Sequence, residues 1–252
     1  MTTFTSIDFG EGLEMGVSGP PLTEGPLPAL FYFALSAKDS LCQGPYNQPV
    51  AYLSSRRLRV FSVTLPFHQP PLDPQDALTH WAQAFLQGHD ILAPFIHNVV
   101  RVIEKIAQLG YSSKMAVAGL SRGALIAAHV AAHSTLVQYI LGFAPLTRLG
   151  KAREFREFAP HSLIDAYDTH NLLARLIGKP LRFYIGNRDE RVGTASCFSV
   201  TQQLTEASYQ SKIRSPQVEL VIFPSIGYHG HGTPKEIFEQ GAEWICQKLE
   251  GP

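Results

Sequence analysis

Apolar residues along this chain fall into short continuous runs separated by longer stretches of helical spacing. The runs Ala29–Leu35, Leu58–Leu65, Val137–Phe143, Leu181–Gly186 and Val218–Phe223, with the stretch that opens at Lys114, have strand length. A run with little polar alternation is what a strand buried on both faces requires. Between these runs the period changes. Trp81, Phe85, Ile91, Phe95, Val99, Ile103 and Ile106 recur at helical spacing, predicting a helix from Asp76 to Gly110 that Gly88 and Pro94 bend or divide. Further helices are predicted near 46–55, over 122–133 and 194–209, and from Thr233–Pro234 to Leu249.

Looser alternation from Phe4 to Gly19, broken by Gly10, Gly12 and Gly16, predicts two short antiparallel strands. Ser36-Ala37-Lys38-Asp39-Ser40 reads as a small-residue loop. Strands alternating with helices at this spacing predict an α/β fold, with a mostly parallel central sheet and helices on both faces. No internal repeat or change of composition divides the chain, so residues 1–252 read as a single domain. The stretch 148–179 is charged and helical, contains Phe155 and Phe158, and is long for a connection. It is expected to form a small cap over the strand ends.

Composition narrows the choice of partner. Hydrophobic residues make up 45% of the 252, enough for one large core. Lys+Arg and Asp+Glu each total 21 without a run of like charge, so no field favours nucleic acid or an anionic membrane. The first residues, Met1 to Asp8, lack the basic start and apolar run of a signal peptide, and no apolar stretch has transmembrane length. Cys42, Cys197 and Cys246 are odd in number and widely spaced, as expected of reduced buried thiols rather than disulfides or a zinc site. A cytoplasmic protein acting on a small molecule, without cofactor or metal, is the expectation.

Candidate chemistry lies where an open α/β sheet places it, just after the strands. The segment Lys114 to Leu125 runs from a short strand through Gly119-Leu120-Ser121-Arg122-Gly123 into an alanine-rich helix. That G-x-S-x-G setting is a nucleophile elbow, a sharp turn that holds a serine hydroxyl clear of the sheet. Asp189 follows the strand Leu181–Gly186, and His229 and His231 follow Val218–Phe223. Serine is a weak nucleophile, so an imidazole must take its proton, and a carboxylate must orient that imidazole. The chain order Ser, Asp, His suits that division of labour.

On these residues the chain resembles the α/β-hydrolase superfamily, closest to dienelactone-hydrolase-like and prolyl-oligopeptidase-like members. The resemblance rests on Gly119–Gly123, on the G-x-x-D-x-x-V turn Gly186–Val192 and on Gly230-His231-Gly232, within a matching strand–helix order. It implies Ser121 as nucleophile, Asp189 as the orienting acid and His231 as the base, with His229 the alternative base. It also implies an oxyanion hole made by the backbone N–H of Arg122 and a second N–H, from Ser36 or Ala37. Of the two, Ala37 is the expected donor. The family loop there is usually H-G-G-like, and Ser36-Ala37-Lys38 departs from it.

Other polar residues have plainer readings. Asp165 and Asp168 read as a solvated helix face, and His68, at the correct end of the sheet, as a loop histidine by default with pocket lining as the alternative. His129 and His133 have metal-ligand spacing without an accompanying carboxylate, and read as helix surface or satisfied core. Arg122 puts a cation beside the elbow. The expected activity is hydrolysis of a carboxylic ester or thioester through an acyl-enzyme on Ser121. Hydrolysis of a small-peptide amide and non-catalytic binding on the same scaffold are the alternatives, because a fold alone does not fix a function.

Overall fold

The computed structural model describes residues 4–158 and 161–251. The chain opens with the antiparallel strands β1 (Thr5–Ile7) and β2 (Met15–Ser18), followed by β3 (Leu27–Phe33). Helices α1 (Ala37–Cys42) and α2 (Gln48–Leu53) lead to β4 (Arg59–Val63). Helices α3 (Ala77–Leu86) and α4 (Leu92–Gln108) precede β5 (Ser112–Leu120), α5 (Arg122–His133) and β6 (Val137–Phe143). Short helical turns, among them α6 (Ser162–Asp165) and α7 (Leu173–Leu176), precede β7 (Leu181–Gly186). The last elements are α8 (Thr194–Gln210), β8 (Val218–Phe223) and α9 (Lys235–Glu250).

The strands form one eight-stranded sheet in the order β1-β2-β4-β3-β5-β6-β7-β8. The β1–β2 and β2–β4 pairings are antiparallel, and the remainder are parallel. Period-two alternation sorts the apolar runs between two cores. In β3, Ala29, Phe31 and Phe33 face the core under α3, α4 and α5, while Leu30 and Tyr32 face the core under α2 and α9. Both faces are covered, which is why the central strands read as unbroken apolar runs.

The predicted long helix is two helices. Gly88 takes φ +76° in the break between α3 and α4, a conformation glycine adopts without penalty. Pro94 lies inside the first turn of α4, where its missing N–H removes no helical hydrogen bond, so it does not bend the helix. The small-residue loop after β3 is instead the start of α1. Ser36 caps it, its hydroxyl oxygen accepting from Asp39 N at 3.1 Å, an N-cap interaction that outweighs the loop-like composition.

The stretch between β6 and β7 is a succession of short turns whose Leu149, Phe155, Ile164, Leu172 and Leu176 are all buried in the core beneath α3, α5 and α8. Asp168, read as solvated, is buried at 2% exposure and accepts from Arg148 Nε at 3.0 Å. Among the described residues, no helix is long and apolar enough to cross a membrane. None of the three cysteines forms a disulfide.

Candidate active site

Parallel pairing of β5, β7 and β8 carries their carboxyl ends to the same edge of the sheet, where three loops meet. Ser121 lies between β5 and α5 at φ 55°, ψ −117°, a positive-φ conformation that strains a residue with a Cβ. Its backbone is tied on both sides: Ser121 N donates to Phe143 O (2.8 Å), and Ser121 O accepts from Leu146 N (3.1 Å). The flanking glycines are steric necessities. A Cβ on Gly119 would run into the backbone of Gly123, and one on Gly123 would run into the carbonyl of Phe33 at the end of β3. The elbow is therefore clamped between neighbouring strands.

Asp189 sits in the turn from β7 to α8, with its side chain fully buried. Its Oδ1 accepts from Arg191 N and Val192 N, each at 3.0 Å, and Asp189 N donates to Thr194 Oγ1 at 3.0 Å. That leaves Oδ2 to face His231 Nδ1 at 2.8 Å. With a carboxylate on that side, Nδ1 carries the proton and Nε2 is a bare acceptor. Ser121 Oγ lies 2.9 Å from Nε2. The structure thus brings Ser121, His231 and Asp189 into one hydrogen-bonded chain.

The loop after β8 explains which histidine enters that chain. It closes on itself through an antiparallel bridge between Ile226 and Gly232 and a Gly232 N to Ile226 O bond of 2.7 Å. Gly230, at φ +72°, packs against the carbonyl of Arg188 so closely that a Cβ would collide with it. His231 then turns inward, with 14% of its side chain exposed. His229 turns outward, half exposed, with Nδ1 3.2 Å from Glu190 Oε2. Hydrogen bonds from His229 and Arg188 lower the Glu190 carboxyl pKa.

Arg122 is the first residue of α5, so its backbone N–H has no partner within the helix. Its side chain does not serve the site as a free cation. The buried guanidinium donates to Pro74 O at 2.9 Å and to His68 Nε2 at 3.3 Å. His68 donates in turn from Nδ1 to Pro66 O at 2.8 Å, which fixes its tautomer. Burial and the adjacent Arg122 charge push the His68 pKa down to about 4. Burial, with the Arg191 charge, lowers that of Arg122 to about 10. His68 is therefore a buried, neutral strut between the loop after β4 and the elbow.

Ala37 does not offer the donor expected of it. Its N–H is bound to Thr64 Oγ1 at 2.9 Å, in a buried contact across 27 residues of sequence. Leu35 N is likewise engaged, by Ser40 Oγ at 2.9 Å. Ser36 N, between them, has no hydrogen-bond partner among the described residues. Thr64 is a residue sequence reasoning missed, and its only signal was its place at the end of a predicted strand.

His129 and His133 are satisfied within the fold. His129 donates from Nε2 to Tyr167 O at 3.0 Å and His133 from Nδ1 to His129 O at 2.8 Å. Burial lowers the His129 pKa to about 4. No cluster of three or more potential metal ligands occurs among the described residues.

No family model and no curated protein matches this sequence. Solved structures match it in fold. TT1662 from Thermus thermophilus is 16% identical with a TM-score of 0.75, covering 100% of each chain. An esterase from Pyrococcus furiosus is 16% identical with a TM-score of 0.66, covering 100% of this chain and 92% of that one. An acylaminoacyl peptidase from Pyrococcus horikoshii is 13% identical with a TM-score of 0.68, covering 99% of this chain and 41% of that one. With the sheet order above, these similarities establish the α/β-hydrolase fold for this chain.

Proposed function

We propose that this protein is a serine hydrolase that cleaves a carboxylic ester or thioester through an acyl-enzyme on Ser121. The observation that carries the reading is the continuous bond chain from Ser121 Oγ through His231 to Asp189, at 2.9 and 2.8 Å. Ser121 Oγ attacks the acyl carbonyl as His231 Nε2 takes its proton, and the buried Asp189 carboxylate stabilises the imidazolium. The same imidazolium gives the proton to the leaving oxygen or sulfur. Water, deprotonated by His231, then attacks the acyl-enzyme and releases the acid.

The developing oxyanion is held by the backbone N–H of Arg122 and, in place of Ala37, that of Ser36. Each such donor contributes roughly 3–4 kcal/mol to the transition state. The stretch 148–179 acts as the cap that selects substrate, with Arg153 and Glu154 beside the histidine loop. The mechanism requires no cofactor or metal. Unpaired, deeply buried Cys197 and Cys246 favour cytoplasmic residence.

Esters are preferred to amides because the similar full-length Pyrococcus furiosus protein is an esterase, whereas the similar peptidase is more than twice as long as its matched part. The test is turnover of matched acyl esters, acyl thioesters and aminoacyl amides by the purified protein, with Ser121→Ala as control. Hydrolysis of esters or thioesters that disappears in Ser121→Ala is the expected result. Exclusive turnover of amides contradicts the ester assignment, and equal turnover by Ser121→Ala contradicts the nucleophile.

A further inference from the structure

A groove of about 210 Å³ opens where the loops after β7 and β8 meet the stretch after β6, lined by Arg153, Glu154, Arg156, Glu190, Arg191, Tyr228 and His229. Both loops that supply the triad acid and base contribute to it. Arg191 is two residues beyond Asp189 and donates its backbone N–H to that carboxylate at 3.0 Å. Tyr228 and His229 lie on the loop of His231. Arg191 thus joins the groove to the turn that holds the triad acid.

The charges in the groove are not balanced. Glu190 is already matched, by Arg188 at 2.7 Å and by His229 at 3.2 Å. Among the described lining residues, Glu154 is then the one carboxylate left beside the guanidiniums of Arg153, Arg156 and Arg191. Glu154 is 93% buried by side chain and approaches Arg153 and Arg191 at 3.9 and 4.0 Å, beyond hydrogen-bond distance. Its Oε2 has no partner among the described residues. Arg156 donates to backbone carbonyls of Lys151 and Glu190 at 3.3 Å. The guanidiniums of Arg153 and Arg191 donate no hydrogen bond to any described residue. Arg191 is 35% exposed by side chain, half sunk in the groove with its planar fork of donors unused.

Resting on the serine-hydrolase reading, we propose that this groove binds a carboxylate carried by the substrate, with Arg191 as the group that holds it. An arginine fork matches a carboxylate in geometry, and two parallel charge-assisted bonds form where none exist now. Glu154 positions Arg191 and keeps the groove from excess positive charge. Arg153, almost wholly exposed, adds attraction that salt screens. Tyr228 offers its ring, three-quarters exposed, to the chain that links carboxylate and scissile bond.

The experiment compares matched anionic and neutral substrates. On the acyl side the pairs are p-nitrophenyl hemisuccinate, hemiglutarate and hemiadipate against the butyrate, valerate and hexanoate. On the leaving side the pair is butyrate esters of 3-hydroxybenzoate and 3-hydroxybenzamide. In the arm whose carboxylate reaches Arg191, the anionic member should have a kcat/KM higher by about 10-fold or more, mainly through KM. Arg191→Ala should bring that ratio toward one, Arg191→Lys should restore part of it, and Arg153→Ala should lower it less. Equal or lower kcat/KM for the anionic member of every pair overturns the proposal, as does a preference that Arg191→Ala leaves intact.

Where Arg191→Ala does not fold, the wild-type ratios together with Arg191→Lys and Arg153→Ala decide. If no pair is turned over but a fluorophosphonate still labels Ser121, protection from labelling by glutarate, with glutaramide as the neutral control, decides instead. Equal protection by the two overturns the carboxylate site. Absence of both labelling and turnover overturns the hydrolase reading itself.

Discussion

The loops after β7 and β8 present two acid–imidazole pairs side by side, and the pairs differ in almost everything except chemistry. In the inner pair Asp189 and His231 meet at 2.8 Å, with the carboxylate side chain fully buried. The other carboxylate oxygen is fixed by two backbone N–H groups. In the outer pair Glu190 and His229 are 3.2 Å apart and both about half exposed. Glu190 also has a competing partner in Arg188 at 2.7 Å. On the proposed reading, a carboxylate beside an imidazole is not sufficient for a catalytic base. What distinguishes the inner pair is that burial and backbone donors leave the carboxylate one orientation and one partner.

Breaking the inner pair should have the largest effect. His231→Ala or Asp189→Asn is expected to reduce kcat by about ten-thousand-fold, measured on the best ester found, because the serine loses its oriented base. An intact rate in either variant would transfer the role elsewhere. Gly230 lies between the two histidines in sequence, and Gly230→Ala requires a side chain at φ +72° against the Arg188 carbonyl. It is expected to lower stability by about 1–3 kcal/mol, read as a denaturation midpoint. Ester turnover should fall further than the lost folded fraction explains, since His231 is displaced.

A third imidazole sharpens the comparison, because His68 is as buried as the inner pair yet has no carboxylate. Its folded pKa is about 4, depressed by burial and by Arg122, and that of His129 is also about 4. Unfolded histidine titrates near 6.5. Between these values the unfolded chain binds more protons, so stability is flat above about pH 6.5 and falls as pH drops toward 4. Each residue contributes a loss on the order of 2–3 kcal/mol at the acid end. Calorimetric Tm values from pH 7 to 4 should fall less steeply in His68→Gln than in the wild type. Parallel curves would show that His68 is not held neutral.

The outer pair should matter least. Glu190→Gln and His229→Ala are expected to change turnover of a neutral ester by less than about 3-fold, as for exposed ion pairs elsewhere. A loss comparable to that of His231→Ala would erase the distinction drawn between the two pairs.

Backbone demands were the legible part of this sequence. Gly119, Gly123 and Gly230 mark places where a Cβ collides with another chain segment, and such requirements leave a pattern at fixed local spacing. Strands β6, β7 and β8 are bounded as their apolar runs predict, although β8, at the sheet edge, is only partly covered. Side-chain direction was not legible. Arg122 turns away from the site because Pro74 and His68 accept its donors, and Ala37 N–H is taken by Thr64, just past the end of β4. Asp168 is buried against Arg148, 20 residues away in sequence. Each of these depends on a partner brought close only by folding, so no local pattern announces it. The choice between His229 and His231 lay between the two cases, since the glycines hint at the turn but only the fold supplies Asp189.

The central claim is that Ser121 is a nucleophile activated by His231 and not by His229. It is tested most directly by the rate of fluorophosphonate labelling, with the modified residue mapped by mass spectrometry, in wild type, His231→Ala and His229→Ala. Labelling confined to Ser121, lost on the assay timescale in His231→Ala and retained in His229→Ala, is the predicted result. Labelling of Ser121 at the wild-type rate without His231, or no labelling of the folded wild type, would contradict it.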